Sequence, residues 1–322
     1  MRPAPIHQRP IAPAGQARRS VARAAATAPP RLMRQTRLVI VGCGDVGMRV
    51  VRQLSGRLRV RALTSQADRV DALRAAGVTP LIGNLDDPRS LRRLSALAPW
   101  VLHLAPPPNT GAHDTRTRAL LRGWSRTRTL RRLVYASTSG VYGDAAGNRF
   151  DETRPTAPAS DRARRRVDAE RQIRRWSRRS RVSASILRIP GIYAGDRPGG
   201  HPRERLRRGT PVLRAQDDVY TNHIHADDLA RVCICALMRG EPQCAYHASD
   251  DSEIRMGDYF DLAADLCGLP RPPRISRSEA QTQLPPMLLS FMNESRRLDN
   301  RRMHDELRVH LHHPHVATGL LA

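Results

Sequence analysis

From Thr36 onward, short apolar runs alternate with stretches of helical period. Arg37–Val41 reads as a short buried strand, and Val60–Thr64, Thr79–Ile82, Trp100–Leu104, Arg132–Ala136 and Ser183–Ile189 as further strands. Between them, Val46–Leu54, Ala67–Ala76, Pro88–Leu97 and Thr115–Thr129 carry apolar residues at helical spacing, and Asp227–Met238 forms a later apolar helix. Strands separated by single helices predict parallel crossover units, and right-handed crossovers wind these into a doubly wound α/β sheet. The Pro-rich C-terminal third predicts a smaller α/β domain. The expected organisation is an Arg/Pro/Ala-rich disordered extension over 1–35, a nucleotide-binding domain over 36–190 to which 220–238 returns, and a substrate-binding domain over 191–322. The acid-free start over 1–32 also has the composition of a transit peptide. Met33, just before the first strand, is the simpler expected start.

Composition narrows the chemistry. The 322 residues contain 55 basic side chains, all of them arginine, for a net charge of +25. With no lysine, a Schiff base or any tyrosine–lysine dyad is excluded. The arginines are spread along expected solvated helix faces, and no helix-turn-helix, zinc-finger or RNA-binding motif accompanies them. Specific nucleic-acid binding is therefore not expected, although weak binding at low salt is. Five cysteines without CxxC spacing argue against a disulfide framework and a zinc site, so no metal is expected. No apolar run is long enough to span a membrane, and a cytoplasmic location is the expectation.

The candidate chemistry begins at Gly42-Cys-Gly44-Asp45-Val46-Gly47, a GxGxxG loop that follows a strand and opens a helix. Gly42 allows the tight turn, Gly44 lets a pyrophosphate approach the backbone, and Gly47 lets the helix pack on the strand. The helix N-terminus adds free amides and a partial positive charge. The second strand ends in Leu63-Thr64-Ser65-Gln66 with Arg69 beyond, where an NAD site usually carries an acid. Small hydroxyls and an arginine suit a 2′-phosphate, so NADP is expected, with NAD the alternative. Leu85 and Asp86 follow the third strand, where such folds contact adenine. Asp86 or Asp87 would otherwise cap the next helix.

These residues resemble the extended short-chain dehydrogenase/reductase superfamily in its NAD-dependent epimerase/dehydratase form. The resemblance runs from Arg37 to the C-terminus. It rests on the glycine loop, Leu85-Asp86, Val101–Ala105, Tyr135–Asp144, Leu187–Tyr193, His223–Leu229 and Arg296–Asn300. It implies a Rossmann domain and a C-terminal substrate domain, and it adds Leu104, Ala105, Pro106, Ile189, Pro190 and Gly191 to the expected cofactor contacts. It also implies a serine or threonine beside a Tyr-x-x-x-Lys pair. Thr138 falls at the hydroxyl position, but alignment on Glu170 puts Arg162 and Arg166 where the tyrosine and lysine would stand. Arginine is no ordinary acid or base near neutral pH. Arg166 would hold the ribose and Arg162 an anionic ligand group, while the proton donor would be sought among Tyr142, Tyr193, His103 and His225.

This departure resembles the atypical, YeeZ-like branch of the superfamily. Two functions follow as expectations: an NADP-dependent oxidoreductase or epimerase acting on a small, anionic substrate, or a catalytically silent NADP-binding sensor. Family members dimerise through the helices after the fourth and fifth strands. Here Arg116, Arg118, Arg122, Arg164 and Arg165 are expected to coat those helices, leaving monomer and homodimer both open.

Overall fold

The computed structural model describes residues 36–92, 94–125 and 129–322; the expected extension over 1–35 lies outside them. Seven parallel strands form the central sheet. In chain order they are β1 (Arg37–Val41), β2 (Arg59–Thr64), β3 (Thr79–Ile82), β4 (Trp100–His103), β5 (Arg132–Thr138), β6 (Ser183–Ile189) and a late strand, Ala245–His247. The spatial order is Ala245–His247, β6, β5, β4, β1, β2, β3. Chain direction across the sheet reverses between β1 and β4, the point where a doubly wound sheet opens a crevice at its carboxyl edge. Val41 marks that edge, its carbonyl accepting from the amides of both Leu104 and Ala105.

Alternation along the strands builds one core on each face. Leu38 and Ile40 pack toward helix α1 (Asp45–Leu54), whereas Val39 and Val41 pack on the opposite face. That second face is covered by α2 (Thr115–Trp124) and α3 (Asp161–Ser180). The 20-residue α3 starts where the Ser160 hydroxyl accepts from the Ala163 amide, and it buries Ala163, Val167, Ala169 and Ile173 along one side.

Some expected elements differ. Residues 88–92 form turns and Leu94–Ala96 a short 3₁₀ segment, rather than one helix. The Ser90 hydroxyl donates to the carbonyls of Asn84 and Asp87 and accepts from the Asn84 amide, local bonds that compete with helical ones. The helix begun at Thr115 stops at Trp124 instead of Thr129. Strand β5 runs two residues past Ala136, so Thr138 pairs with Ile189 at the carboxyl edge.

The C-terminal third divides between the two cores. A separate cluster contains Leu206, Val212, Tyr259, Phe260 and Val316, with helix α4 (Met256–Cys267) at its centre. Ala245–His247, expected in the small domain, is instead an edge strand of the main sheet, and Tyr246, Met303, Leu307 and Val309 join the main core. Helix Ala226–Arg239 lies against α1. Its fully buried Asp228 accepts from the amides of His312 and His313, tying down the chain's last segment.

Candidate active site

The glycine loop lies at the crevice. Gly42 has φ +86°, and a Cβ there would stand 2.5 Å from the Ala105 amide nitrogen. A Cβ on Gly47 would be 3.1 Å from the Cys43 sulfur. The fold itself therefore accounts for these two glycines. Gly44 is different: a Cβ would meet nothing within 4 Å, and its backbone is in the ordinary extended region. Its missing side chain leaves room for a ligand. Gly44 is also the N-cap of α1 and offers no capping side chain, so the first-turn amides are left for an outside acceptor.

Three adjoining cavities share this edge. One of about 490 Å³ is lined by Gly42, Gly44, Asp45, Val46 and Gly47 together with Leu104, Pro106, Thr138, Arg166, Ile189 and Pro190. A second, of about 360 Å³, continues past the loop to Thr64, Ser65, Arg69, Leu85, Ala105 and Arg116. The third, about 490 Å³, lies toward the small domain, with Thr138, Arg162, Pro190 and Gly191 in its wall. Together they place the expected cofactor residues along one crevice. Asp86 stands at its rim, held by Arg116 at 2.7 Å, and this hydrogen bond keeps its carboxyl below the usual range. Arg116 also donates to the Pro106 carbonyl, bracing the two rims. Asp87, not Asp86, accepts from the Arg89 amide in the following turn.

Asp45 puts a negative charge beside the phosphate-binding amides, and the structure neutralises it. It pairs with Arg49 at 3.1 Å and with Arg197 at 2.7 Å. Arg49 is buried and also pairs with Asp227 and Asp196, so the 194–200 segment is tied to the start of α1. Arg197 thereby borders both the loop cavity and the third cavity. The sequence marks it no differently from any other arginine.

Thr138 ends β5, and its hydroxyl accepts from the Gly140 amide at 3.3 Å while facing the crevice. Arg166 donates to the Tyr135 hydroxyl at 3.1 Å and to the Ala136 carbonyl at 2.5 Å. One turn earlier, Arg162 lies over the Phe291 ring at 5.6 Å, and no carboxylate among the described residues pairs with it. Arg165, expected on the solvated coat, is instead buried, lines the crevice and donates to the Gly111 carbonyl at 2.8 Å. Its place on α3 turns it inward.

The proton-donor candidates are turned away. Tyr142 lines none of the three cavities. It is fully buried, with its hydroxyl 2.6 Å from both Arg188 and His247, and burial pushes it up to about 12. The neighbouring motif residues explain this: Glu170 accepts from Ser137 at 2.6 Å and pairs with Arg188 at 2.8 Å, forming a buried polar cluster under the site. His103 is a core residue bonded to Thr117 at 3.0 Å, and burial lowers it to about 3. Tyr193 packs against Gly319, away from the crevice. The His225 ring accepts from the Asp227 amide and caps the helix at Ala226.

His223 is the imidazole that does line the third cavity. It stacks on Tyr259 at 4.1 Å, and burial lowers it to about 3. The alternation of His223 and His225 marks a strand, but only the small domain's packing decides which histidine meets the cavity. Among the described residues, no group of acids, histidines and cysteines is arranged to hold a metal, and no helix is long and apolar enough to cross a membrane.

A doubly wound parallel sheet with a glycine-cradled crevice at its switch point defines a dinucleotide-binding protein. The chain belongs to the NAD dependent epimerase/dehydratase family, whose model matches residues 38–248. It is 24% identical over 251 residues to Protein YeeZ of Escherichia coli strain K12, covering 75% of this chain and 87% of that protein. It is 23% identical over 160 residues to the mouse dTDP-D-glucose 4,6-dehydratase, a match spanning 47% of this chain and 42% of that protein's length. Among solved structures, a functionally unknown conserved protein from Silicibacter pomeroyi superposes with TM-score 0.75 at 29% identity, covering 89% of this chain and 97% of that one. The Thermotoga maritima UDP-glucose 4-epimerase, solved with UDP-glucose, gives TM-score 0.72 at 17% identity over 89% of this chain and 96% of its own.

Proposed function

We propose that the crevice binds NADP in preference to NAD, and that the chain is an oxidoreductase or epimerase/dehydratase-like enzyme for a small anionic substrate. The observation that carries the reading is the Gly44 cradle, open where a ligand would approach and continuous with the Thr64, Ser65 and Arg69 end. The residues present fit the dinucleotide. The uncapped amides of α1 would take the pyrophosphate. Leu85 and Ala105 would border the adenine. Thr64, Ser65 and Arg69 would take a 2′-phosphate, with no carboxylate among those three to repel it. Arg166 would hold the nicotinamide ribose while Tyr135 and Ala136 fix its guanidinium. When bound, the cofactor supplies or accepts a hydride.

The chain's own contribution is positioning and charge. The Thr138 hydroxyl would hydrogen-bond a substrate oxygen, and Arg162 would neutralise a substrate anion. A second reading, a catalytically silent NADP-binding sensor, is favoured by one specific observation: Tyr142, Tyr193, His103 and His225 all point away from the crevice as proton donors. Cofactor turnover separates the two. Carbonyl and sugar-type substrates are screened with the wild type and Thr138→Ala by NADPH absorbance and, because an epimerase or dehydratase returns its hydride, also by chromatography of the products. Substrate-dependent oxidation or product formation that falls in the variant supports the enzyme. Tight NADPH binding with no turnover across the screen supports the sensor.

A further inference from the structure

The third cavity has an unbalanced set of polar groups. Among the described residues, twelve buried side-chain polar atoms lack a hydrogen-bond partner. Four of them, all nitrogens, belong to residues lining this one cavity: Nε and Nη2 of Arg205, Nδ1 of His223 and Nε of Arg296. Buried donors normally find acceptors, and each one left alone costs about 1–3 kcal/mol. Among the described residues, its lining supplies no free carboxylate. Its one acid, Glu294, is bonded to Arg296, and Arg197 is already paired with Asp45. Among the described residues, Arg205 and Arg162 are left as cations without carboxylate partners.

The walls add a second constraint. Arg205 rests on the Phe260 ring at 4.3 Å, Phe260 meets the edge of Tyr259 at 5.2 Å, and Tyr259 stacks on His223 at 4.1 Å. Phe291 stands beneath Arg162 at 5.6 Å. Burial brings the Arg205 guanidinium down to about 10, which still leaves it charged at neutral pH. Burial also keeps His223 neutral, so the imidazole adds a donor or acceptor without adding charge. The cavity therefore combines flat apolar surfaces with positive charge that its lining does not neutralise.

We propose that this cavity is a substrate subsite for a small oxyanion, carboxylate or phosphate, carried on a flat apolar body. Arg205 and Arg162 pair with the oxyanion, and the body lies against the Phe260–Tyr259–His223 wall. The assignment rests on the cofactor occupying the adjoining crevice, because Thr138 and Arg162 border both spaces.

The test uses the full chain saturated with NADPH. Binding of phenylpyruvate, phenyl phosphate and the neutral phenylacetone is followed by the change in nicotinamide fluorescence. At least one of the two anions is expected to bind about tenfold or more tighter than phenylacetone. Which anion wins identifies the source of the oxyanion. Arg205→Gln should erase that advantage while leaving the NADPH affinity within about twofold. If Arg205→Gln also loses NADPH, Arg205→Met, which keeps an apolar stem over Phe260, carries the same comparison. Equal binding of anions and neutral ketone, failure of both anions to bind, or an anion preference that survives loss of the guanidinium overturns the subsite. Absence of the NADPH signal in the wild type is a different failure, that of the cofactor reading.

Discussion

Gly42 and Gly44 stand two residues apart in one loop, yet the structure separates their roles. Replacing Gly42 by alanine forces a side chain into φ +86°, a left-handed conformation costing roughly 1–2 kcal/mol. It also sets the new carbon 2.5 Å from the Ala105 amide nitrogen, a backbone atom at the heart of the β1–β4 junction. Relief of that overlap adds a cost like that of overpacking a core, about 1–3 kcal/mol. At about 2–4 °C per kcal/mol for a domain of this size, melting should fall by roughly 5–15 °C. At Gly44 a new Cβ meets nothing within 4 Å among the described residues, and Gly44→Val needs no unusual backbone angle. Its cost is that of a poor N-cap, at most about 1 kcal/mol and a few degrees. The side chain would instead stand where the pyrophosphate must approach, so NADPH affinity should fall by about a hundredfold or more. Thermal melting and NADPH fluorescence titration of both variants decide the matter. A Gly44→Val protein that binds NADPH normally refutes the assignment of the loop. A Gly42→Ala protein as stable as the wild type refutes the packing argument.

Further outcomes follow from the buried polar cluster and the charge. Arg188→Met leaves Glu170 buried without its cation, a loss of about 3–5 kcal/mol, seen as a melting drop of roughly 10 °C; Arg188→Met with Glu170→Met should recover much of it. An unchanged melting temperature in the single variant contradicts this. Burial depresses His247 to about 4, below the 6.5 of an unfolded histidine, so its contribution is fully present above pH 6.5 and falls away as the pH drops toward 4. The stability gap between wild type and His247→Gln should therefore be widest at pH 7 and narrow on acidification; a gap that widens instead counts against a neutral buried ring. Arg118, Arg122, Arg171, Arg175 and Arg179 line one groove between α2 and α3, so light scattering at about 0.15 M salt should find a monomer, and a stable dimer through this face would show that the repulsion is overcome.

The sheet and the loop were legible because their signals are local. Arg37–Val41, Thr79–Ile82 and Ser183–Ile189 are apolar runs bounded by turns, and the glycine spacing reflects contacts within a few residues. Residues 88–97 misled because Ser90 bonds the preceding backbone, an alternative that helical periodicity does not register. Tyr142 shows the limit of motif reading. Its place beside Thr138 in the chain suggested the crevice, but Arg188 and His247, 46 and 105 residues away, draw its hydroxyl into the core. Arg197, Arg205 and His223 come to the crevice through the small domain's packing. In a chain with 55 arginines, none of that could mark an individual guanidinium in advance.

The central claim is that the crevice holds NADP. Purified full-length chain titrated with NADPH and NADH, each followed by nicotinamide fluorescence at moderate salt, tests it most directly. The account predicts that NADPH binds at least about tenfold tighter than NADH, and that Arg69→Gln removes the difference by weakening NADPH alone. Equal affinity for the two nucleotides, or no binding of either, contradicts it.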